Sequence, residues 1–88
     1  MSGGYILTVH LTRGDTSFSV STNFGTTQNA ARAFVQVRRA MHEGATVTAH
    51  GDVVGDSTVY RGEDIVLMQC TPPLTEQDVT SAEAWLAA

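Results

Sequence analysis

Two histidines, His10 and His50, are the residues whose type and spacing best suit acid–base chemistry. Each lies two positions after a threonine in a segment where polar and apolar residues alternate, so each is predicted on the polar face of a strand. If the two strands are neighbours, the imidazoles could transfer protons during hydrolysis of a phosphodiester, with Arg13 or Arg61 holding the phosphate. The alternative interpretation is two solvated strand histidines. The outward residues expected around them are Thr8, Thr46 and Thr48.

The stretch 48–64 combines a histidine with several carboxylates and is the candidate metal or catalytic loop. His50, Asp52 and Asp56 could offer one imidazole and two carboxylates to a metal ion. Their spacing fits neither a calcium loop, which needs alternating oxygen ligands and a distal glutamate, nor a zinc pattern. The glycines and aspartates of the stretch are ordinary turn formers. We therefore expect a connection between two strands, with no metal and no cofactor.

The basic residues of a predicted helix form the only basic patch. Arg32 and Arg39 lie on its exposed stripe with Gln36 between them, and Arg38 is beside them. The patch has no lysine and no interleaved aromatic residue, and the chain has a formal net charge of −4. We therefore do not expect nucleic acid as a partner, since phosphate binding needs a basic field. Two interpretations remain: a solvated helix face, or a docking site for an acidic surface such as the C-terminal half of a second subunit.

The acidic residues are concentrated in the second part of the chain. Residues 52–88 hold one arginine against seven acidic residues, whereas residues 1–51 hold four arginines against two. This asymmetry favours the docking of two copies or the binding of a basic partner. One alternative function is therefore an acidic modulator that occupies a basic surface of a nucleic-acid enzyme or regulator. A phage-encoded protein is one form of this alternative. The lysine-free composition, rich in Ala, Val, Thr and Gly, is typical of an actinobacterial or phage genome.

Length and composition predict a single domain over residues 1–88. A chain of 88 residues with 42% hydrophobic content can build one small core. No apolar run approaches the roughly 18 residues that a membrane span needs, and the first ten residues lack the pattern of a signal peptide. We expect a cytoplasmic protein without a membrane partner. The single cysteine, Cys70, lies in an apolar segment and is expected to be a small buried hydrophobe.

Hydrophobic periodicity predicts the elements that position these residues. Alternation in segments 5–12 and 17–22 indicates an antiparallel hairpin with Phe18 and Val20 inward. A helix is predicted over 27–43, ending at Gly44 in a left-handed cap. A third strand covers 45–50, and segments 58–60 and 64–69 form one interrupted strand or two short ones. A capping box at Thr75 begins a second helix.

This order predicts an α+β fold, a two-layer sandwich with the elements β-β-α-β-β-α. The antiparallel sheet packs one face on the long helix, and the short final helix lies on the sheet edge or reaches a second copy. The segment 65–68 is apolar on both faces, which suits a central strand or one covered by another subunit. These residues, together with Trp85 and Leu86, present more apolar surface than a small monomer can easily bury. We therefore predict a homodimer with Trp85 as an anchor.

The function that the sequence favours is that of a non-catalytic interaction or accessory protein with an unidentified protein partner. Its candidate surfaces are the Thr/Ser-rich sheet face and the apolar region around Trp85. The acidic modulator is the first alternative. A small hydrolase that uses His10 and His50 is the second.

Overall fold

The computed structural model describes residues 4–50 and 57–88, except for the side chain of His50. Its fold is α+β, and the predicted order β-β-α-β-β-α is confirmed. A single 3-10 turn, Gly62–Asp64, separates the last two strands, so the interrupted segment is two strands. The strands are β1 Tyr5–Arg13, β2 Thr16–Phe24, β3 Thr46–His50, β4 Ser57–Arg61 and β5 Ile65–Thr71; the helices are α1 Thr27–Glu43 and α2 Glu76–Ala87.

Helix α1 has the predicted bounds because both of its ends are capped. The hydroxyl of Thr26 accepts a hydrogen bond from the amide of Asn29 at the N-terminus, which satisfies one of the unpaired first-turn amides. Gly44 ends the helix with φ 68°, a left-handed conformation that glycine adopts without steric cost. Within the described residues, neither helix is long and apolar enough to cross a membrane.

The β1–β2 hairpin has a continuous register set by its turn. Gly14 has φ 61° and opens a two-residue loop, so Arg13 pairs with Thr16 and His10 pairs with Ser19. Leu7, Val9 and Leu11 are buried on the face toward α1. Phe18 pairs with Leu11 and shares that face, yet it remains 46% exposed near the hairpin tip, so the prediction of an inward Phe18 holds for its direction only.

The described strands form two antiparallel sheets, with orders β2-β1-β5 and β3-β4. β1 is therefore the central strand, and β5 is an edge strand, so the central placement of segment 65–68 is wrong. The β1–β5 register shifts between His10, which pairs with Leu67, and Leu11, which pairs with Ile65. Val66 is thus the extra residue of a bulge, which interrupts the alternation of faces. The bulge explains how a segment that is apolar on both faces lies at an edge.

Both sheets contribute to one core with α1. Buried residues of β1 and α1 meet Ala49 of β3 and Tyr60 of β4 in the same hydrophobic cluster. The turn that leaves β4 is pressed against the end of α1: Gly62 donates to the Ala45 carbonyl at 2.8 Å. A Cβ at Gly62 would lie 2.0 Å from the Ala40 oxygen, so this approach needs glycine.

Helix α2 packs against α1 and not on a sheet edge. Ala31 and Val35 of α1 are buried with Ala82 of α2 in a second hydrophobic cluster. The expected position on the sheet edge is wrong because α1 has two apolar faces, and Ala31 and Val35 form the second one. The Thr75–Asp78 capping box that begins α2 is confirmed, with both reciprocal hydrogen bonds at 3.1 Å.

Candidate functional site

The three-stranded sheet has one face against α1 and one open face, on which the predicted residue His10 lies. Directly opposed residues share a face, so Ser19 of β2 and Leu67 of β5 lie beside His10 in one row across the sheet. Neighbouring rows add hydroxyl and amide side chains. The other open-face residues of the three strands are Ile6, Thr8, Thr12, Ser17, Ser21, Asn23, Gln69 and Thr71.

Both ring nitrogens of His10 have partners on neighbouring strands. The Ser19 Oγ lies 2.7 Å from Nδ1, and the Gln69 Oε1 lies 3.0 Å from Nε2. An amide oxygen accepts and does not donate, so in the neutral imidazole Nε2 carries the proton and Nδ1 accepts from the Ser19 hydroxyl. A hydroxyl, a base and an orienting group therefore lie in a chain of hydrogen bonds, which is the order found in activated nucleophiles.

Two pairs of hydroxyl groups flank His10 along the hairpin. The Oγ atoms of Thr8 and Ser21 lie 3.1 Å apart, and those of Thr12 and Ser17 lie 3.4 Å apart. Each pair joins residues directly opposite each other, and cross-strand pairs of this kind contribute roughly 0.2–1 kcal/mol. The hydroxyl groups of the open face therefore stabilise the hairpin that carries them.

The other members of the predicted histidine site lie in the second sheet. Thr46 and Thr48 are exposed on β3, as their alternation predicted. Among the described strands β3 pairs with β4, whereas β1 pairs with β2 and β5. The condition for a His10–His50 pair, neighbouring strands, is therefore not met. The side chain of His50 and the predicted metal-loop residues 51–56 lie outside the described residues, within which no cluster of His, Cys, Asp or Glu could hold a metal ion.

The edge of β5 carries the most exposed apolar side chains of the three-stranded sheet. Val66 is 64% exposed and Leu67 is 50% exposed, and no described strand pairs with the outer side of β5. The strand, IVLMQCT, contains no charged residue and no proline, the residues that commonly protect an edge from pairing. Its bulge, a third protective device, turns an apolar side chain outward at Val66. This edge is therefore suited to pairing with another chain.

A second exposed valine provides a comparison with this edge. Val59 of β4 is also 64% exposed, but its strand ends in Arg61, which forms an ion pair with Glu63. A charged residue on an edge disfavours pairing with another chain. Val59 is therefore exposed on a strand that ends in a charged residue, whereas Val66 and Leu67 are exposed on a strand that contains none.

The arginines of the predicted basic patch contact side chains of their own chain. The Arg32 guanidinium lies 4.6 Å from the centre of the Trp85 ring, a cation–π distance. Arg38 binds Glu83 of α2 at 2.5 Å, and Arg39 binds Glu43 at 3.2 Å. Two carboxylates of the same chain, Glu83 on α2 and Glu43 on α1, thus pair with arginines of the basic patch.

Trp85, the predicted dimer anchor, is 38% exposed and has Arg32 over its ring.

Several of the acidic residues in the C-terminal half form contacts within the chain. Glu83 and Glu63 form ion pairs, and Asp78 accepts the amide hydrogen bond of the α2 capping box. The charge asymmetry of the sequence is partly neutralised by these contacts.

Two grooves of about 300 Å³ lie along the α1–α2 pair. The first is lined by residues near the start of both helices, among them Gln28, Arg32 and Ser81. The second is lined by residues near their ends, including the ion-paired Arg38 and Glu83. Neither groove is lined by His10, Ser19 or Gln69, so the hydrogen-bonded imidazole lies outside both grooves.

Cys70 packs partly buried against the main core. Burial raises the pKa of its thiol, because a low-dielectric environment disfavours the thiolate. The expectation of a small apolar residue suits this position on the helix-facing side of β5.

Sequence reasoning missed Ser19 and Gln69 as the partners of His10. The signal for Ser19 is present in the turn, because a two-residue loop at Gly14 and Asp15 sets the register outward to His10. The signal for Gln69 is absent, since the β1–β5 pairing joins residues far apart in the chain. Comparison with protein-family models, curated proteins and solved structures finds no match to this chain.

Proposed function

We propose that this protein is a small non-catalytic interaction protein of the cytoplasm, and that it binds another protein chain through the edge of β5 and the adjoining open sheet face. The observation that carries the proposal is the uncharged β5 edge, which no described strand pairs and on which Val66 and Leu67 are exposed. Addition of a strand to such an edge supplies main-chain hydrogen bonds, and exposed side chains supply specificity.

The open face adds to the proposal because it adjoins the same edge. Leu67 pairs with His10, and Gln69 contacts the imidazole, so a chain seated on β5 lies directly beside the hydroxyl-rich surface. Apolar contact at the edge and adaptable polar contacts beside it are the usual composition of a protein-binding surface.

The proposal is tested by comparing the proteins retained from a lysate of the natural host by the wild-type chain and by Leu67→Lys. A lysine at the edge adds a charge where a strand would dock, so we expect the loss of the specifically retained proteins. Val59→Lys is the matched control, since it makes the same kind of change at an exposed valine of the other sheet. Equal retention by the wild-type chain and Leu67→Lys would contradict the proposal.

Salt separates this function from that of an acidic modulator. Binding through strand pairing and apolar contact is expected to persist at 0.5 M salt. At that salt concentration, screening limits the interaction between exposed charges to a few ångströms. Binding of a basic surface to the acidic half of the chain would be lost under the same conditions. Loss of retention at 0.5 M salt would therefore favour the modulator.

A second candidate function is hydrolysis at His10, and the hydrogen-bond chain Ser19–His10–Gln69 favours it. The Ser19 oxygen would add to an ester carbonyl while its proton passes to His10 Nδ1, and the leaving alcohol would take that proton. Water would then release the acyl group from Ser19 and restore the hydroxyl. We rank this function second because the triad lies on an open sheet face rather than in a water-excluding cleft.

The hydrolase candidate is tested with 4-nitrophenyl acetate. An acyl-enzyme mechanism predicts a burst of nitrophenolate equal to the protein concentration, lost in Ser19→Ala and kept in Ser21→Ala. Ser21 is the matched control, since it is the next outward serine on β2 and bonds Thr8 instead. A rate unchanged in Ser19→Ala would exclude this candidate.

A further inference from the structure

We propose that the chain bound by the β5 edge is a second copy of this protein, paired antiparallel with its axis at Leu67, so that two three-stranded sheets join into one of six strands. This inference rests on the proposed function, which assigns protein binding to that edge. The two copies would use the same surface, as a two-fold dimer requires.

The placement of charge around β5 favours a second copy in the antiparallel direction. The acidic residues Glu63 and Asp64 precede the strand, and the segment after it, Thr71 onward to the prolines, is uncharged. Antiparallel pairing about Leu67 sets the acidic segment before one β5 near the uncharged end of the other β5. Parallel pairing would set each Asp64 beside its own copy, and like charges directly opposite each other are destabilising.

The exposed side chains favour an axis at Leu67. Pairing about this residue sets the two half-exposed leucines against each other on the open face. Leu67 of each copy would thus contact an apolar residue rather than water. An axis further along, at Gln69, would set Leu67 opposite a threonine and would gain less apolar contact.

The dimer would also join the two open faces into one surface. Each His10 lies one strand inward from its own Leu67. The imidazoles of the two copies would therefore lie on the same face of the six-stranded sheet. The formal net charge of −4 on each chain opposes association, and salt screens that repulsion. The dimer is therefore expected to be no weaker at 0.5 M salt than at low salt.

The test is the distance between nitroxide spin labels on the two copies, in chains with Cys70→Ala and one new cysteine on β2, away from the interface. Ser17→Cys and Asn23→Cys are both on exposed open-face positions, two and four residues from the row of Leu67. From a strand spacing of about 4.8 Å and a rise of about 3.4 Å per residue, the expected distances are about 28 Å for residue 17 and about 36 Å for residue 23.

Equal distances, or a longer distance for Ser17→Cys than for Asn23→Cys, would overturn the antiparallel pairing about Leu67. No intermolecular distance, together with a monomeric mass at millimolar concentration, would overturn the second copy as occupant. That result leaves the proposed function standing if Leu67→Lys still abolishes retention of other proteins. If Leu67→Lys changes neither mass nor retention, the proposed function fails as well.

Discussion

The α1–α2 interface and the β5 edge both carry residues that suggest a partner, yet only one of them has that partner within the chain. Around α1, Arg38 binds Glu83 and Arg32 lies over Trp85, while Ala31 and Val35 are buried by Ala82. At β5, Val66 and Leu67 remain exposed and the outer side of the strand is unpaired by any described strand. Charge and aromatic content thus mark contacts inside the chain, and an uncharged edge marks the surface available to another chain.

The largest test of this contrast places a carboxylate in both regions. Val35→Asp buries a charge between α1 and α2, and we expect it to lower the free energy of unfolding by about 3–5 kcal/mol. Leu67→Asp puts the same group on an exposed edge and should change it by less than about 0.5 kcal/mol. Urea denaturation at concentrations where the chain is monomeric measures both.

Val35→Ala is a milder variant at the same position, to be measured in case the Val35→Asp chain does not fold. It removes two buried methyl groups and is expected to cost roughly 2 kcal/mol. A Leu67→Asp chain as unstable as Val35→Ala would contradict the contrast, since it would show that the edge is part of the core.

A substitution at Trp85 tests the same contrast by comparing the free energy of unfolding with the native mass. We expect Trp85→Ala to lower the free energy of unfolding by about 1–2 kcal/mol, because it removes the cation–π contact with Arg32 and part of the α2 packing. The native mass should not change, because the proposed association surface is the β5 edge. Trp85→Phe keeps a ring and should recover part of the stability. Dissociation of a dimer by Trp85→Ala would instead support the prediction that Trp85 anchors the dimer.

The capping box tests whether α2 belongs to the stable region. Thr75→Ala removes the hydroxyl that accepts from the Asp78 amide and keeps the backbone amide that donates to the Asp78 carboxylate, so a loss of about 1 kcal/mol is expected. Thr80→Ala, an exposed position in the interior of the same helix, should be neutral or slightly stabilising. Equal thermal unfolding curves for the two variants would mean that α2 adds little to the fold.

The smallest expected effect is the ion pair between the helices. A double-mutant cycle with Arg38→Ala and Glu83→Ala should give a coupling energy of roughly 0.2–1 kcal/mol, because both side chains are partly exposed. The coupling should fall in 1 M salt. A coupling of zero at low salt would assign the Arg38 contribution to packing on Phe34, whose ring centre is 5.5 Å from the guanidinium.

Local chemistry explains which features could be predicted from the sequence. The bounds of α1, its glycine cap and the capping box of α2 each depend on residues within one helical turn. The hairpin follows from alternation and a two-residue turn. The element order was therefore accessible to periodicity alone.

The features that were not accessible depend on contacts between distant segments. Alternation cannot distinguish an edge strand from a central one when a bulge at Val66 interrupts it. Nor can it show that Ala31 and Val35 form a second face, because small residues fit either side of a helix. The site followed the same division: His10 was identified from its strand, but its partner Gln69 depends on the long-range β1–β5 register.

The most direct test of the account is sedimentation equilibrium of the wild-type chain, Leu67→Lys and Val59→Lys across a wide concentration range. The account predicts a reversible dimer for the wild-type chain and for Val59→Lys. For Leu67→Lys it predicts a dissociation constant raised about tenfold or more. A wild-type chain that stays monomeric, or a dimer equally stable with lysine at position 67, would contradict the claim that the β5 edge binds a second copy.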